Sequence, residues 1–283
     1  MAIHIEGLTK DLDGFSVSRI LPNAQKKMVG PFIFLDHMGP AQFSPGNGID
    51  VRPHPHIGLS TLTYMLEGSL LHRDSLGNHL EILPGDVNWM TAGRGIVHSE
   101  RETLEVKSRP HALNGIQCWV ALPRDQAEIA PDFVHVKREQ LPHYLHDGVF
   151  MRLIAGTAFD MTSPIKTYSP MFYLDVIAKA GRSIPRPNPE QECLLYVIDG
   201  EVDVAGQTYK SGTTLLLEDE TDIISRCNCR CILLGGERWH ETPHIEWNFV
   251  AFERSRLEQA KADWKAQRFP TIPGDDREFI TLG

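Results

Sequence analysis

The feature of the sequence that most constrains the fold is an internal repeat of a β-rich unit. Residues 53–68 (PHPHIGLSTLTYMLEG) align with residues 185–200 (PRPNPEQECLLYVIDG). Identical residues in the alignment include Pro53 with Pro185, Pro55 with Pro187, Tyr64 with Tyr196, and Gly68 with Gly200. Short alternating, β-branched or aromatic runs between glycine and proline turns are typical of strands in a sandwich or barrel. The chain is therefore predicted to be all-β, with two copies of one barrel in tandem.

The junction between the copies is predicted within residues 130–148, which hold two prolines, several charges and three histidines. We expect one domain over residues 1–135 and a second over residues 145–283. Residues 253–269 are the one convincing helical segment. Its apolar stripe consists of Leu257, Ala260 and Trp264. The second domain is therefore predicted to carry a short C-terminal helix.

Composition limits the classes of partner. The net charge of −9 and the isoelectric point near 5.8 argue against direct nucleic-acid binding. Apolar runs fall short of the roughly 20 residues that span a bilayer, and the first residues lack the apolar core of a signal peptide. Five cysteines, an odd number, favour reduced thiols. We therefore expect a soluble, cytoplasmic protein with no membrane partner.

Three of those cysteines form the motif CNCRC at residues 227–231. Thiolates are zinc ligands, so the motif could form a metal site. A tetrahedral site usually needs a second arm of the chain, however, and one short strand does not supply it. The favoured interpretation is a set of small buried side chains.

Two histidines in the first repeat copy form a pattern typical of metal ligands. The prolines on either side of His54 favour an extended chain, in which His54 and His56 point to the same side. The second copy has Arg186 and Asn188 at these positions. Arginine stays cationic and is not a metal ligand. The imidazoles are thus not needed to form the strand, and any metal site is confined to the first copy.

A second pair with the same spacing follows a glycine-rich turn. His98 and Glu100 come after the GRG segment at residues 93–95. Two antiparallel strands that each offer such a pair would bring together three imidazoles and one carboxylate: His54, His56, His98 and Glu100. This ligand set suits Fe(II), Mn, Co, Ni, Cu or Zn.

These motifs resemble those of the cupin superfamily, and within it those of the pirin family. The residues that match the two cupin motifs are His54, His56, Gly68, Gly85, Gly93 and His98. Thr91 stands where cupins usually have proline, and pirins show the same departure in the stretch that reads WMTAGRGIVHSE here, residues 89–100. Similar stretches, such as residues 32–40 and 234–243, extend the resemblance over nearly the whole chain.

The resemblance implies a bicupin, with two cupin β-sandwich barrels of six to seven strands and a metal only in the first. The family's ligands carry over onto His54, His56, His98 and Glu100, and the usual metal is iron. Some pirin-like proteins resemble quercetinases, which open a flavonol ring with O₂ and release CO. Others are non-catalytic partners of transcription regulators or metabolic enzymes. Ser60 and Ile57 stand where many pirins have glutamate and arginine, a departure that bears on the substrate rather than on metal binding.

The favoured function is a quercetin 2,3-dioxygenase-like enzyme in which Glu100 is a ligand, a catalytic general base, or both. A metal-dependent protein-binding module is the alternative, and a zinc or nickel cupin with isomerase or hydrolase chemistry is a third. Candidates to orient the imidazoles are Asp36, His37, Gln117 and backbone carbonyls. Candidates for the pocket lining, with core packing favoured for each, are Trp89, Met65 and Trp119. Among the remaining histidines, His72 is expected at the surface or in the core.

Overall fold

The computed structural model of the protein describes residues 2–11, 16–218 and 222–282. Strands make up 52% of the chain and helices 8%, which confirms the all-β prediction. The strands, in chain order, are β1 (Ala2–Ile5), β2 (Leu8–Asp11), β3 (Ser16–Leu21), β4 (Phe32–Phe43), β5 (Asp50–His56), β6 (Leu59–Glu67), β7 (Leu70–Asp74), β8 (His79–Ile82), β9 (Val87–Thr91), β10 (Ile96–Arg101), β11 (His111–Ala121), β12 (Asp132–Val136), β13 (His143–His146), β14 (Val149–Ala158), β15 (Met161–Thr162), β16 (Met171–Ala178), β17 (Glu192–Asp199), β18 (Glu201–Val204), β19 (Gln207–Lys210), β20 (Thr214–Leu217), β21 (Ile223–Ser225), β22 (Cys229–Gly236), β23 (His244–Glu246) and β24 (Phe249–Ala251). The helices are α1 (Leu104–Lys107) and α2 (Arg254–Lys265), with 3₁₀ turns at Arg124–Gln126 and Arg138–Gln140.

Contacts between residues group the described chain into two compact units. The repeat-1 unit takes its described residues from 9–18, 35–138 and 241–283, and the repeat-2 unit takes its own from 1–8, 19–34 and 139–240. Each unit therefore combines one repeat copy with a segment from the far end of the sequence. The domain limits 1–135 and 145–283 remain predictions about the repeat, because the two compact units exchange segments across them.

The repeat-1 unit is built around two antiparallel sheets. One has the order β5-β10-β7-β8, and the other has the order β12-β9-β6-β11-β4-β3-β2. The sheets face each other, since the Thr63 hydroxyl on β6 donates to the Glu100 carboxylate on β10 at 3.1 Å. The strand β7 shows the alternation that this arrangement requires: Leu70, His72 and Asp74 are buried, while the two residues between them are half-buried.

Helix α2 also belongs to the repeat-1 unit. Its stripe of Leu257, Ala260 and Trp264 is buried, as the sequence predicts for a helix within residues 253–269. The stripe packs in one apolar cluster with Ile57. None of the described helices is long and apolar enough to cross a membrane.

The repeat-2 unit contains a sheet of order β1-β20-β17-β22-β16-β14-β13, with β15 beside β14, and a second sheet of order β19-β18-β21. Its described residues include a large cluster of buried apolar side chains. Cys229 and Cys231 lie in this cluster, whereas Cys227 is exposed. The interpretation of the CNCRC motif as small buried side chains therefore fits two of its three cysteines.

The strand registers show where the two copies differ in chemistry. In the repeat-1 unit β6 pairs with β9 and β11, and in the repeat-2 unit β17 pairs with β20 and β22. The matching cross-strand rows are Asn88–Thr63–Gln117 in repeat 1 and Leu215–Leu195–Leu233 in repeat 2. The same position of the barrel is thus polar in repeat 1 and apolar in repeat 2.

Candidate metal centre

The strands β5 and β10 place three histidines on one face of the four-stranded sheet. They pair antiparallel, with His98 opposite His54 and Ile96 opposite His56. The alternation along each strand then turns His54, His56 and His98 towards the interior of the barrel. The register shifts between His98 and Glu100, so that Glu100 lies opposite Val51.

The three imidazoles converge closely. One ring nitrogen from each of His54, His56 and His98 lies within 4.8 Å of the other two. The Nε2 atoms of His56 and His98 are 3.1 Å apart. The three side chains are buried, with at most 6% of each residue exposed. Among the described residues, no other set of three or more histidine, cysteine, aspartate or glutamate side chains brings its ligand atoms this close together.

Backbone carbonyls fix the orientation of two of the rings. The Nδ1 atom of His54 is 2.9 Å from the carbonyl oxygen of Arg52, and that of His56 is 3.1 Å from the carbonyl oxygen of Asn248. A carbonyl only accepts, so each Nδ1 carries the proton and each Nε2 presents a lone pair. The Nδ1 atom of His98 is buried and has no hydrogen-bond partner among the described residues.

This donor set fits a divalent transition metal. Two nitrogens that bind one ion at about 2.1 Å and at right angles lie about 3.0 Å apart, close to the observed separation of His56 and His98. Without an ion, the same separation allows an N–H···N bond from His98 to His56. Imidazoles that bind metals typically donate the N–H of their other ring nitrogen to an acceptor, as His54 and His56 do to backbone carbonyls.

The surroundings keep the imidazoles neutral. Burial lowers the pKa of His54, against the opposing effects of the Arg52 carbonyl and the charge of Glu100. Burial, reinforced by the neighbouring imidazoles, lowers the pKa values of His56 and His98 well below the ordinary value. A neutral imidazole has the lone pair that a metal ligand needs, and a protonated one does not.

Glu100 lies beside the three imidazoles rather than within the group of mutually close ligand atoms. Its Oε1 accepts from Thr63 Oγ1 at 3.1 Å and from Gln117 Nε2 at 3.0 Å. Its Oε2 accepts from the same Gln117 nitrogen at 2.8 Å. The structure thus brings together His54, His56 and His98 and anchors Glu100 next to them, so the ligand role of Glu100 stays a prediction.

His72 lies beside the three imidazoles, whereas its position in the sequence predicts only a surface or core residue. It is buried, with its ring centroid 5.5 Å from that of His98 and stacked 4.5 Å from that of Phe133. Its Nε2 is 3.1 Å from Asp74 Oδ2. The sequence carries the same i, i+2 pattern in His72 and Asp74, which lie at the end of β7 beside β10.

Of the other residues predicted to orient the imidazoles or to line the pocket, Trp119 contacts an imidazole, whereas Gln117, His37 and Met65 contact other groups. Trp119 lies at the centre, with its ring 5.0 Å from that of His56 in an edge-on contact. Gln117 binds Glu100 and not an imidazole. His37 bonds to the Asn114 side chain at 2.7 Å. Met65 packs in a buried apolar cluster, as expected for a core residue.

Comparisons with known proteins agree with this architecture. Two family models match, Pirin over residues 14–120 and the Pirin C-terminal cupin domain over residues 173–270. A "Pirin-like protein" of Caulobacter vibrioides is 45% identical over 277 residues, 96% of each chain. "Pirin" of Mus musculus is 32% identical over 263 residues, 89% of this chain and 87% of that protein.

A solved structure matches across the whole chain. The crystal structure of quercetin 2,3-dioxygenase from Acinetobacter baumannii superposes with a TM-score of 0.91 at 34% identity. The match covers 100% of this chain and 94% of that protein. These comparisons confirm the predicted bicupin fold, and by its matching domains and relatives the chain belongs to the pirin family.

Proposed function

We propose that this chain is an Fe(II)-dependent dioxygenase of the quercetin 2,3-dioxygenase type that acts on flavonol-like substrates with O₂. The observation that carries the proposal is the convergence of the buried, neutral imidazoles of His54, His56 and His98. A structure named quercetin 2,3-dioxygenase that covers the whole chain supports the reaction class.

The metal would be held by His54, His56 and His98, with Glu100 as the predicted fourth ligand. Imidazole and carboxylate suit Fe(II), and Mn, Co, Ni, Cu and Zn are alternatives. When bound, such an ion supplies Lewis acidity that makes a coordinated hydroxyl easier to deprotonate.

The chain's own residues would orient the substrate and move its proton. The carbonyls of Arg52 and Asn248 hold two imidazoles in the tautomer that offers Nε2. The carboxylate of Glu100, buried beside them, would accept the hydroxyl proton of the substrate when its free oxygen is not bound to the metal. Trp119, edge-on to His56, offers an aromatic surface for a planar ligand.

A second candidate is a non-catalytic module that binds a protein partner. It is favoured by the near-complete burial of the imidazoles and by a cavity of about 390 Å³ whose lining includes none of them. That cavity is lined by Asp50, Leu71, Arg73, Arg101, Glu102, Thr103, Leu104 and Lys107. Leu71 and Arg73 flank His72 on β7 and so face away from the imidazoles. Leu104 on its rim is 87% exposed.

The two candidates are separated by an assay of the loaded protein. The chain is reconstituted with Fe(II) under anaerobic conditions, and the loss of flavonol absorbance is followed after O₂ is admitted. We expect depletion by the wild type and by His143→Ala, an exposed histidine of β13, and none by His98→Ala. A protein that binds first-row metals and depletes flavonol with none of them would favour the module.

We also propose a cytoplasmic location. All five cysteines carry thiols and none forms a disulfide. Disulfides persist in oxidising compartments, so a set of reduced cysteines fits a reducing one. Reaction of the thiols with a maleimide reagent in a denatured, unreduced lysate of the source organism tests this, and their protection as disulfides would contradict it.

A further inference from the structure

The carboxylate of Glu100 is the one predicted ligand that is anchored from the opposite sheet. It reaches from β10 to β6 and β11, where Thr63 and Gln117 donate to it. Those two residues are direct cross-strand neighbours. The anchor is therefore a pair of adjacent side chains on one rigid sheet.

The two oxygens of the Glu100 carboxylate accept different numbers of hydrogen bonds. Oε1 accepts two hydrogen bonds, from Thr63 at 3.1 Å and from Gln117 at 3.0 Å. Oε2 accepts one, from Gln117 at 2.8 Å. A carboxylate oxygen has two lone pairs, so Oε1 is saturated and Oε2 keeps one lone pair. The remaining lone pair on Oε2 is therefore the one through which the buried Glu100 carboxylate can bind a further partner.

The strand pairing itself does not require these polar side chains. The matching positions of the repeat-2 unit are Leu195 and Leu233, which pair with each other in the same register. Both leucines are fully buried in the apolar core of that unit. The hydroxyl and the amide thus occur in the barrel that holds the imidazoles and are replaced in the barrel that does not.

We propose that Gln117 and Thr63 are positioning residues that hold Glu100 so that its Oε2, and not Oε1, is offered to the metal as a single-oxygen ligand. The proposal rests on the proposed metal-binding function and adds to it the residues that fix the carboxylate. The hydrogen bonds to both oxygens limit rotation of the buried carboxylate, so the ion meets a ligand that is already placed.

Loss of the anchor should weaken metal binding. Removal of a residue that orients a metal ligand typically lowers metal affinity 10- to 100-fold. We expect a loss of about 10-fold for Gln117→Leu, which removes a donor to both oxygens. Thr63→Val removes one bond to Oε1 and should cause a smaller loss. Leucine and valine match the apolar character of the corresponding repeat-2 row, which favours folding of both variants.

The test is a double-mutant cycle on the full chain with Co²⁺ alone as the probe. Binding is followed by visible absorbance in competition with a chelator of known affinity. The variants are Gln117→Leu, Thr63→Val, Glu100→Gln, and Gln117→Leu combined with Glu100→Gln. Thr61→Val is the matched control, because Thr61 lies on the same strand, opposite Trp119 and Met90 rather than Gln117.

Gln117→Leu should lose about 10-fold in affinity alone and almost nothing in the Glu100→Gln background. The control should bind Co²⁺ as the wild type does. Equal losses in both backgrounds, or wild-type affinity in Gln117→Leu or Glu100→Gln, would overturn the positioning role. A wild type that binds no Co²⁺, Fe²⁺ or Ni²⁺ would refute the proposed function itself. Should Gln117→Leu fail to fold, Gln117→Met and Thr63→Val give the same comparison.

Discussion

Lowering the pH should destabilise the metal-free protein more steeply than it destabilises a variant that lacks His98. Burial lowers the pKa values of His54, His56 and His98 below the value of 6.5 that they regain on unfolding. As the pH falls below 6.5, the unfolded chain binds protons that the folded chain excludes. The free energy of unfolding therefore falls in this window and is independent of these groups above it.

The magnitude follows from the number of imidazoles. Each proton bound only by the unfolded chain lowers the free energy of unfolding by about 1.4 kcal/mol per pH unit. His54, His56 and His98 together give a slope of up to about 4 kcal/mol per pH unit below pH 6. His98→Leu removes one proton and should reduce the slope by about 1.4 kcal/mol per pH unit.

The assay is urea unfolding followed by circular dichroism between pH 7.5 and 5.0 in the presence of a chelator. Burial also lowers the pKa values of His37 and His135. Both residues are present in the wild type and in His98→Leu, so the difference between the two slopes reports the contribution of His98. Equal slopes in the two proteins, or stability that does not change below pH 6.5, would refute the burial of neutral imidazoles.

Three further perturbations test other parts of the molecule. Glu100→Gln, assayed at a saturating Fe(II) concentration, should abolish flavonol turnover, and retained turnover would exclude a role as general base. Leu257→Ala should lower the free energy of unfolding in urea by about 2–5 kcal/mol, because Leu257 lies on the buried face of α2 and is itself fully buried; a loss below 1 kcal/mol would contradict this packing. Gly93→Ala should weaken Co²⁺ binding, since Gly93 has a φ of 52° and an added Cβ would overlap the Ile129 carbonyl in the turn before His98; wild-type affinity would show that the turn tolerates the change.

Local patterns in the sequence predict most of the fold and the histidine cluster. The i, i+2 spacing places His54 and His56 on one face because a strand has a period of two, and His98 follows the same rule. The helix within residues 253–269 is predicted by its stripe, and the structure narrows it to Arg254–Lys265. These features depend on neighbours that are close in the sequence.

The features that sequence reasoning missed depend on strand register and on distant contacts. The contact of Gln117 with Glu100 requires that β11 face β10 across the barrel, which no local pattern encodes. The carbonyl that orients His56 belongs to Asn248, 192 residues away. The placement of α2 in the repeat-1 unit likewise follows from packing on Ile57, a contact across most of the chain.

The central claim is that the side chains of His54, His56 and His98 bind one ion. The most direct test is the metal content of the chain after loading with Co²⁺ and gel filtration, together with X-ray absorption at the cobalt edge. We expect one ion per chain, a scattering pattern of three imidazoles at about 2.1 Å, and loss of the ion in His54→Ala, His56→Ala and His98→Ala. Stoichiometric binding that survives all three substitutions would place the ion elsewhere and contradict the assignment of this centre.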